Sequence, residues 1–187
     1  MYDETQQPAR GRRYLGLLWA LVPAAITGGL YWFGREYTPD YAADFFGKQF
    51  ADAQLLKAQM GTALLGLAAV QVLLALCMYG VIPGPDRYIP TIHRVCGVLA
   101  FALSLPIAIH CIHAYGIPLG NTRVTIHAVA ACFMYGAFAA KIIVVRHRRL
   151  PGWALPVTGG VLVALIALVW YTAALWDLNN YSVPGLE

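Results

Sequence analysis

IHRVCGVLAFALSLPIAIHCIHAYGIPLGNTRVTIHAVAACFMYGAFAAKIIVV, residues 92–145, holds two long apolar runs, 92–115 and 124–145, on either side of the turn-forming GIPLGN. Each run matches the roughly 20 residues that an α-helix needs to cross about 30 Å of hydrocarbon, and the Gly, Pro and Asn between them end one helix and start the next. The pattern predicts a helical hairpin that spans a bilayer twice.

Working outward, residues 14–34, 58–81 and 153–176 form three further runs of the same kind. IPGPDRYIP precedes the third span and RHRRLPG precedes the fifth, so turn formers punctuate these joins as well. The expected fold is all-α: one five-span transmembrane bundle occupying residues 1–187 as a single domain. Composition agrees, because 59% of residues are hydrophobic and 12% charged, against about 45–50% and about 25% in soluble domains. A water-soluble fold is thereby excluded. The net charge of +4 comes from basic residues lying between apolar runs, a pattern that reports topology and gives no sign of nucleic-acid binding.

Arg10, Arg12, Arg13, Arg87, Arg94, Arg146, Arg148 and Arg149 fall on one side of such a bundle, and Arg35, Lys48, Lys57 and Arg123 on the other. Eight against four predicts a cytoplasmic amino terminus and an extracytoplasmic carboxyl terminus in a bacterial plasma membrane. The first apolar run is longer than a signal-peptide core and lacks a clear A-x-A cleavage site, so it is read as a retained span. Tyr31, Trp32, Trp153, Tyr171 and Trp176 sit near span ends, where aromatic side chains anchor helices at the interface. The external loop, residues 35–57, is the longest polar segment. Within it Tyr41, Phe45, Phe46, Phe50 and Leu55 recur at helical spacings, which predicts a short amphipathic helix on the membrane surface, with a partner-docking surface as the alternative.

Cys77, Cys96, Cys111 and Cys132 all lie in apolar runs with no CxxC pair, so they are read as packing residues and not as a disulfide or zinc framework.

His93, His110, His113 and His127 concentrate in the third and fourth spans, with His147 in the basic loop that follows. Ionisable side chains at membrane depth are costly and are functional candidates by default. His110 and His127 lie nearly equal distances from the turn joining their helices, which puts both roughly 7–10 Å below the outer end at 1.5 Å per residue. Two level imidazoles can hold one haem iron axially as a low-spin electron carrier. Ala128, Ala130, Ala131, Gly136 and Ala137 would leave room for a flat macrocycle, and Pro106 removes a backbone bond that could bend the third span around it. Arg123 and His113, near the outer surface, would meet the haem propionates. Lys141 would snorkel to the interface or pair with an anion such as a propionate or lipid head group. The alternatives are that histidines merely hydrogen-bond across helices, or that His113, about 60° around the helix from His110, is the ligand instead.

Cys96 and His110, like His127 and Lys141, are 14 residues apart, so each pair shares a helix face about 21 Å apart. The inner members are Cys96 and Lys141, an arrangement suited to one outer haem. A second haem would need His93 and an unidentified partner.

The stretch IHRVCGVLAFALSLPIAIHCIHAYG, with its His-Arg-x-x-Gly opening and far histidine, resembles helices of the cytochrome b561 and ferric-reductase-like haem proteins. TIHAVAACFMYGAFAAKIIVVRHRRLPGWALPVTGG, with the rest of the last three spans, resembles an uncharacterised family of small actinobacterial membrane proteins. The first resemblance implies a haem b cofactor. Cytochrome b561 proteins spread four ligating histidines over four helices, whereas the second and fifth spans here have none, so a two-haem scheme does not carry over intact. The expectation is therefore a small b-type cytochrome, an electron-transfer subunit rather than an independent enzyme. It would carry one electron between menaquinol and a redox partner or respiratory complex on the outer face. A haem-free accessory or scaffolding subunit of a larger respiratory complex is the rival. A transporter is a weaker third reading, because no inverted repeat is visible and acidic residues are nearly absent from the middle of the spans.

Overall fold

The structure, a computed structural model, describes residues 7–84, 87–147 and 150–186. Among the described residues five helices are long and apolar enough to cross a membrane: α1 (Gln7–Glu36), α2 (Phe50–Met78), α3 (Ile89–Tyr115), α4 (Thr122–Arg146) and α5. The last runs Ala154–Trp170, widens into a π turn at Tyr171–Leu175 and closes with Trp176–Leu178. The expected all-helical, five-span architecture is present. Arg148 and Arg149, used in the charge count, lie outside the described residues.

Local chemistry explains the helix ends. Asn121 caps α4 by accepting the Val124 N–H at 3.2 Å, and Pro occupies the first turn of α3, where no amide hydrogen is needed. Past the end of α2, Gly80 takes φ +72° and the Val81 N–H reaches back to the Leu76 carbonyl at 2.9 Å, satisfying a terminal acceptor.

Short connections make consecutive helices antiparallel. One end of the bundle gathers the 37–49 and 116–121 connections and the chain's last residues; it is called the capped end below. The other, the basic end, gathers the ends of α2 and α4 and the starts of α3 and α5. Helix α2 packs on α3 and α5, α4 packs on α5, and α1 lies against α4 outside this group of four. The α3–α4 seam is bridged by side chains: Phe101 and Phe138 stack at 4.3 Å between ring centroids, and Tyr135 Oη donates to the Ser104 carbonyl at 3.1 Å. Leu64, Ala68, Met134, Leu162 and Ile166 form the buried core. Apolar side chains such as Ile109, Val98 and Phe133 are exposed on the outside, the inverse of a soluble protein and the surface that lipid covers.

Two expectations change. Residues 35–57 do not form a surface helix: α1 runs on to Glu36, α2 starts at Phe50, and the 37–49 segment between them is a folded loop. Its aspartates explain this, because Asp40 Oδ1 accepts the Ala42 N–H at 3.1 Å and Asp44 Oδ1 accepts the Gly47 N–H at 3.4 Å, local bonds that compete with helix. At Gly136 the small-residue face of α4 is also not open. A Cβ on Gly136 would lie 2.8 Å from the Pro23 carbonyl oxygen, so α1 occupies that groove.

Candidate functional site

At the capped end the 37–49 loop folds inward. The Asp40 N–H donates to the His113 carbonyl at 3.0 Å, and the Ile117 N–H to the Gly34 carbonyl at 2.9 Å. Arg35, in the last turn of α1, donates to the Ile117 carbonyl at 3.0 Å. Beneath this cover His110 is 7% exposed, with the Phe45 ring edge-on at 4.9 Å. Lys57 Nζ lies 3.3 Å from His110 Nδ1. An ammonium can only donate, so Nδ1 accepts, Nε2 carries the hydrogen, and Nε2 donates to the Ala43 carbonyl at 3.2 Å. Both ring nitrogens are thereby engaged. Lys57 also donates to Tyr115 Oη at 3.3 Å and sits 4.5 Å from the centre of that ring.

His127 meets a different neighbour. Its Nδ1 lies 3.2 Å from the Val169 carbonyl and 3.2 Å from Thr172 Oγ1, both at or just before the π turn of α5. Thr172 itself donates to the Leu168 carbonyl at 2.8 Å, so its oxygen is free to accept. A π turn widens the backbone ladder to i→i+5, and such turns often mark functional positions. Here it turns carbonyls toward α4: Arg123 donates to the Thr172 carbonyl at 2.5 Å and lies 3.6 Å from the centre of the Trp176 ring. With Nδ1–H held by a carbonyl, His127 Nε2 keeps its lone pair. That is the tautomer of a metal-ligating imidazole.

The structure thus brings Arg123 and His127 together on Thr172, and turns His110 toward α2 and the loop. His113 stands apart, its ring 5.7 Å from Tyr37. Among the described residues no three His, Cys, Asp or Glu side chains converge on one point. All four cysteines are free thiols.

Toward the basic end, α2, α3, α4 and α5 line a partly open cavity of about 60 Å³, its walls chiefly apolar side chains but also Gln71, Ser104, Tyr135 and Lys141. Gln71 Nε2 donates to the His93 carbonyl, while Gln71 Oε1 and His93 Nδ1 are buried without partners. His147 is exposed at the end of α4.

Sequence reasoning missed Lys57, Thr172 and Gln71. Lys57 was assigned to the external loop but belongs to α2. Thr172 and Gln71 are single polar residues inside apolar runs, and that isolation was the available signal.

No curated protein and no solved structure matches the chain. A family model matches residues 16–185, most of the length, and the chain accordingly belongs to the family of unknown function DUF6529.

Proposed function

We propose that the chain is a haem-free accessory subunit of a larger membrane assembly, with its histidines acting as fasteners between elements. The observation that carries this reading is the saturation of His110 by Lys57 and the Ala43 carbonyl. The case for haem rested on the cost of two unpartnered imidazoles at membrane depth; here each imidazole has its own protein partner, so that cost is offset without a cofactor. The fastened cap presents Tyr41, Phe46 and Phe50 outward. Phe46 and Phe50 hold φ of 53° and 48°, a conformation that is costly for a bulky residue, and exposed aromatics are the residue type that anchors protein interfaces.

The orientation belongs to the same proposal: the basic end in the cytoplasm of a bacterial cell and the capped end outside, on the excess of arginine at the basic end. A cysteine label in the 37–49 loop then reacts from outside the cell, and one at Leu150 does not. Reversed labelling overturns the orientation.

His127 favours a second reading, the b-type cytochrome, because its Nε2 lone pair is available. In that reading His110, or His113, gives the second axial bond after the loop releases it, Arg123 meets a propionate, and the electron passes between menaquinol and an outer redox partner. A second haem on His93 is a weaker extension, and Lys141 lies too far toward the basic end to serve the outer haem. The visible spectrum of protein purified from a haem-replete host separates the two readings. The accessory reading expects no alpha band and a His110→Ala variant that is less stable but spectrally unchanged. A sharp alpha band in the dithionite-reduced protein that His110→Ala or His127→Ala abolishes replaces it with the cytochrome reading.

A further inference from the structure

The cavity toward the basic end is used by neither reading, and its polar lining is incompletely bonded. Gln71 is 8% exposed, lines the cavity, and its Oε1 has no partner. The amide is not free to turn over, because Nε2 already donates to the His93 carbonyl and the reversed amide would set two acceptors against each other. His93 Nδ1, one helical turn before cavity-lining Gly97, is a second orphan. Lys141 brings three N–H donors to the same wall. Buried polar groups in a low-dielectric interior are costly unless bonded, so something must satisfy them.

Size and bonding select the occupant. A volume of about 60 Å³ holds about four waters at roughly 15 Å³ of probe volume each, and is less than half of the roughly 150 Å³ cavity that admits a benzene ring. An aromatic head group or a phospholipid head is therefore too large. Water donates to Gln71 Oε1, bonds His93 Nδ1 in either tautomer because it both donates and accepts, and accepts from Lys141. We propose that this cavity binds a small water cluster held by Gln71 Oε1 and Lys141 and extending to His93 Nδ1. The cluster forms a hydrated proton-exchange site that reaches from the basic end to the Tyr135–Ser104 bond. It gives Lys141 water partners inside the bundle and lets it exchange protons with the aqueous phase at that end.

The test is water-edited solid-state NMR on the full-length, isotope-labelled chain in lipid vesicles, reading magnetisation transfer from water to assigned side chains. Gln71 and Lys141 should receive it several-fold faster than Leu103 and Leu165, which pack on the core outside the cavity wall. Gln71→Leu should slow the transfer to Lys141 several-fold. Gly97→Ala offers an independent variant, since the added methyl would lie 3.5 Å from Gln71 Nε2, an ordinary contact that fills part of the space; it should slow transfer to Gln71. Transfer to Gln71 as slow as to Leu165 means a dry cavity and overturns the proposal. Cross-peaks at Gln71 from lipid protons in place of water mean an amphiphile and overturn it equally. Fast transfer to Lys141 that Gln71→Leu leaves unchanged shows a lysine reaching bulk water, and also overturns it.

Discussion

The two ends of the bundle carry the same chemical parts and use them differently. At the capped end Lys57, His110 and the Ala43 carbonyl close on one another. At the basic end Lys141, His93 and Gln71 occupy corresponding roles, yet Gln71 Oε1 and His93 Nδ1 remain without protein partners. The difference is the loop. Residues 37–49 fold back over α2 and α3 and supply a backbone carbonyl to His110. Gln71 and Lys141 instead line a cavity between four helices. A lysine and a histidine in a membrane helix therefore do not define a site; the backbone that reaches them decides whether they become a fastener or a solvated pocket.

The largest effect we expect lies at neither end and calibrates both. Gly136→Leu forces a side chain into the groove filled by Pro23 and Thr27, and overpacking of that kind costs about 3 kcal/mol or more. Thermal unfolding in detergent should show α1 detaching first, and an unchanged melting temperature would mean that α1 is not seated on α4.

His110→Ala comes next. It strands the Lys57 ammonium and the Ala43 carbonyl together, for a loss of about 2–3 kcal/mol. Limited proteolysis within 37–49 should become faster in that variant. If the loop stays protected, the capped end is not held by this histidine and the contrast between the ends collapses.

Lys57→Met keeps the length and apolar stem but removes the donor to His110 and Tyr115, and should cost about 1–2 kcal/mol. The bond from His110 Nε2 to the Ala43 carbonyl survives this change, so the loss is smaller than for the histidine itself. A double-mutant cycle with His110→Ala should show the two effects to be strongly non-additive; simple additivity would place the residues in separate environments.

The smallest change is expected at Gln71→Leu, which gives up the bond from Nε2 to the His93 carbonyl and the water on Oε1 but fills the site with an apolar side chain of similar volume. Stability should move by less than about 1 kcal/mol in either direction, since replacing a water-bonded polar group by an apolar one of the same shape is often nearly neutral. A loss as large as that of His110→Ala would show that Gln71 is a fastener too.

Hydrophobic length made the five spans readable, because a bilayer demands about 20 apolar residues whatever their neighbours. The turns GIPLGN and IPGPDRYIP likewise announced their positions through residues with restricted or left-handed backbones. Spacing placed His110 and His127 near the same end, since rise per residue is a property of the helix alone.

What lay beyond such one-dimensional rules was decided by packing. Periodicity suggested a surface helix around Phe45 and Phe46, but the side-chain bonds of Asp40 and Asp44 to nearby amides and the burial of Phe45 against His110 made a cap. The small residues of α4 looked like space for a macrocycle, yet α1 lies in the groove at Gly136, and no local pattern tells which helix will occupy a groove. The direction of His127 depends on a segment of α5 more than 40 residues away in the chain, where the Val169 carbonyl and the Thr172 hydroxyl meet its Nδ1 at the start of the π turn. Hydrogen-bond partners drawn from distant segments are a property of the assembled bundle, which is why the residues' depths were legible and their occupations were not.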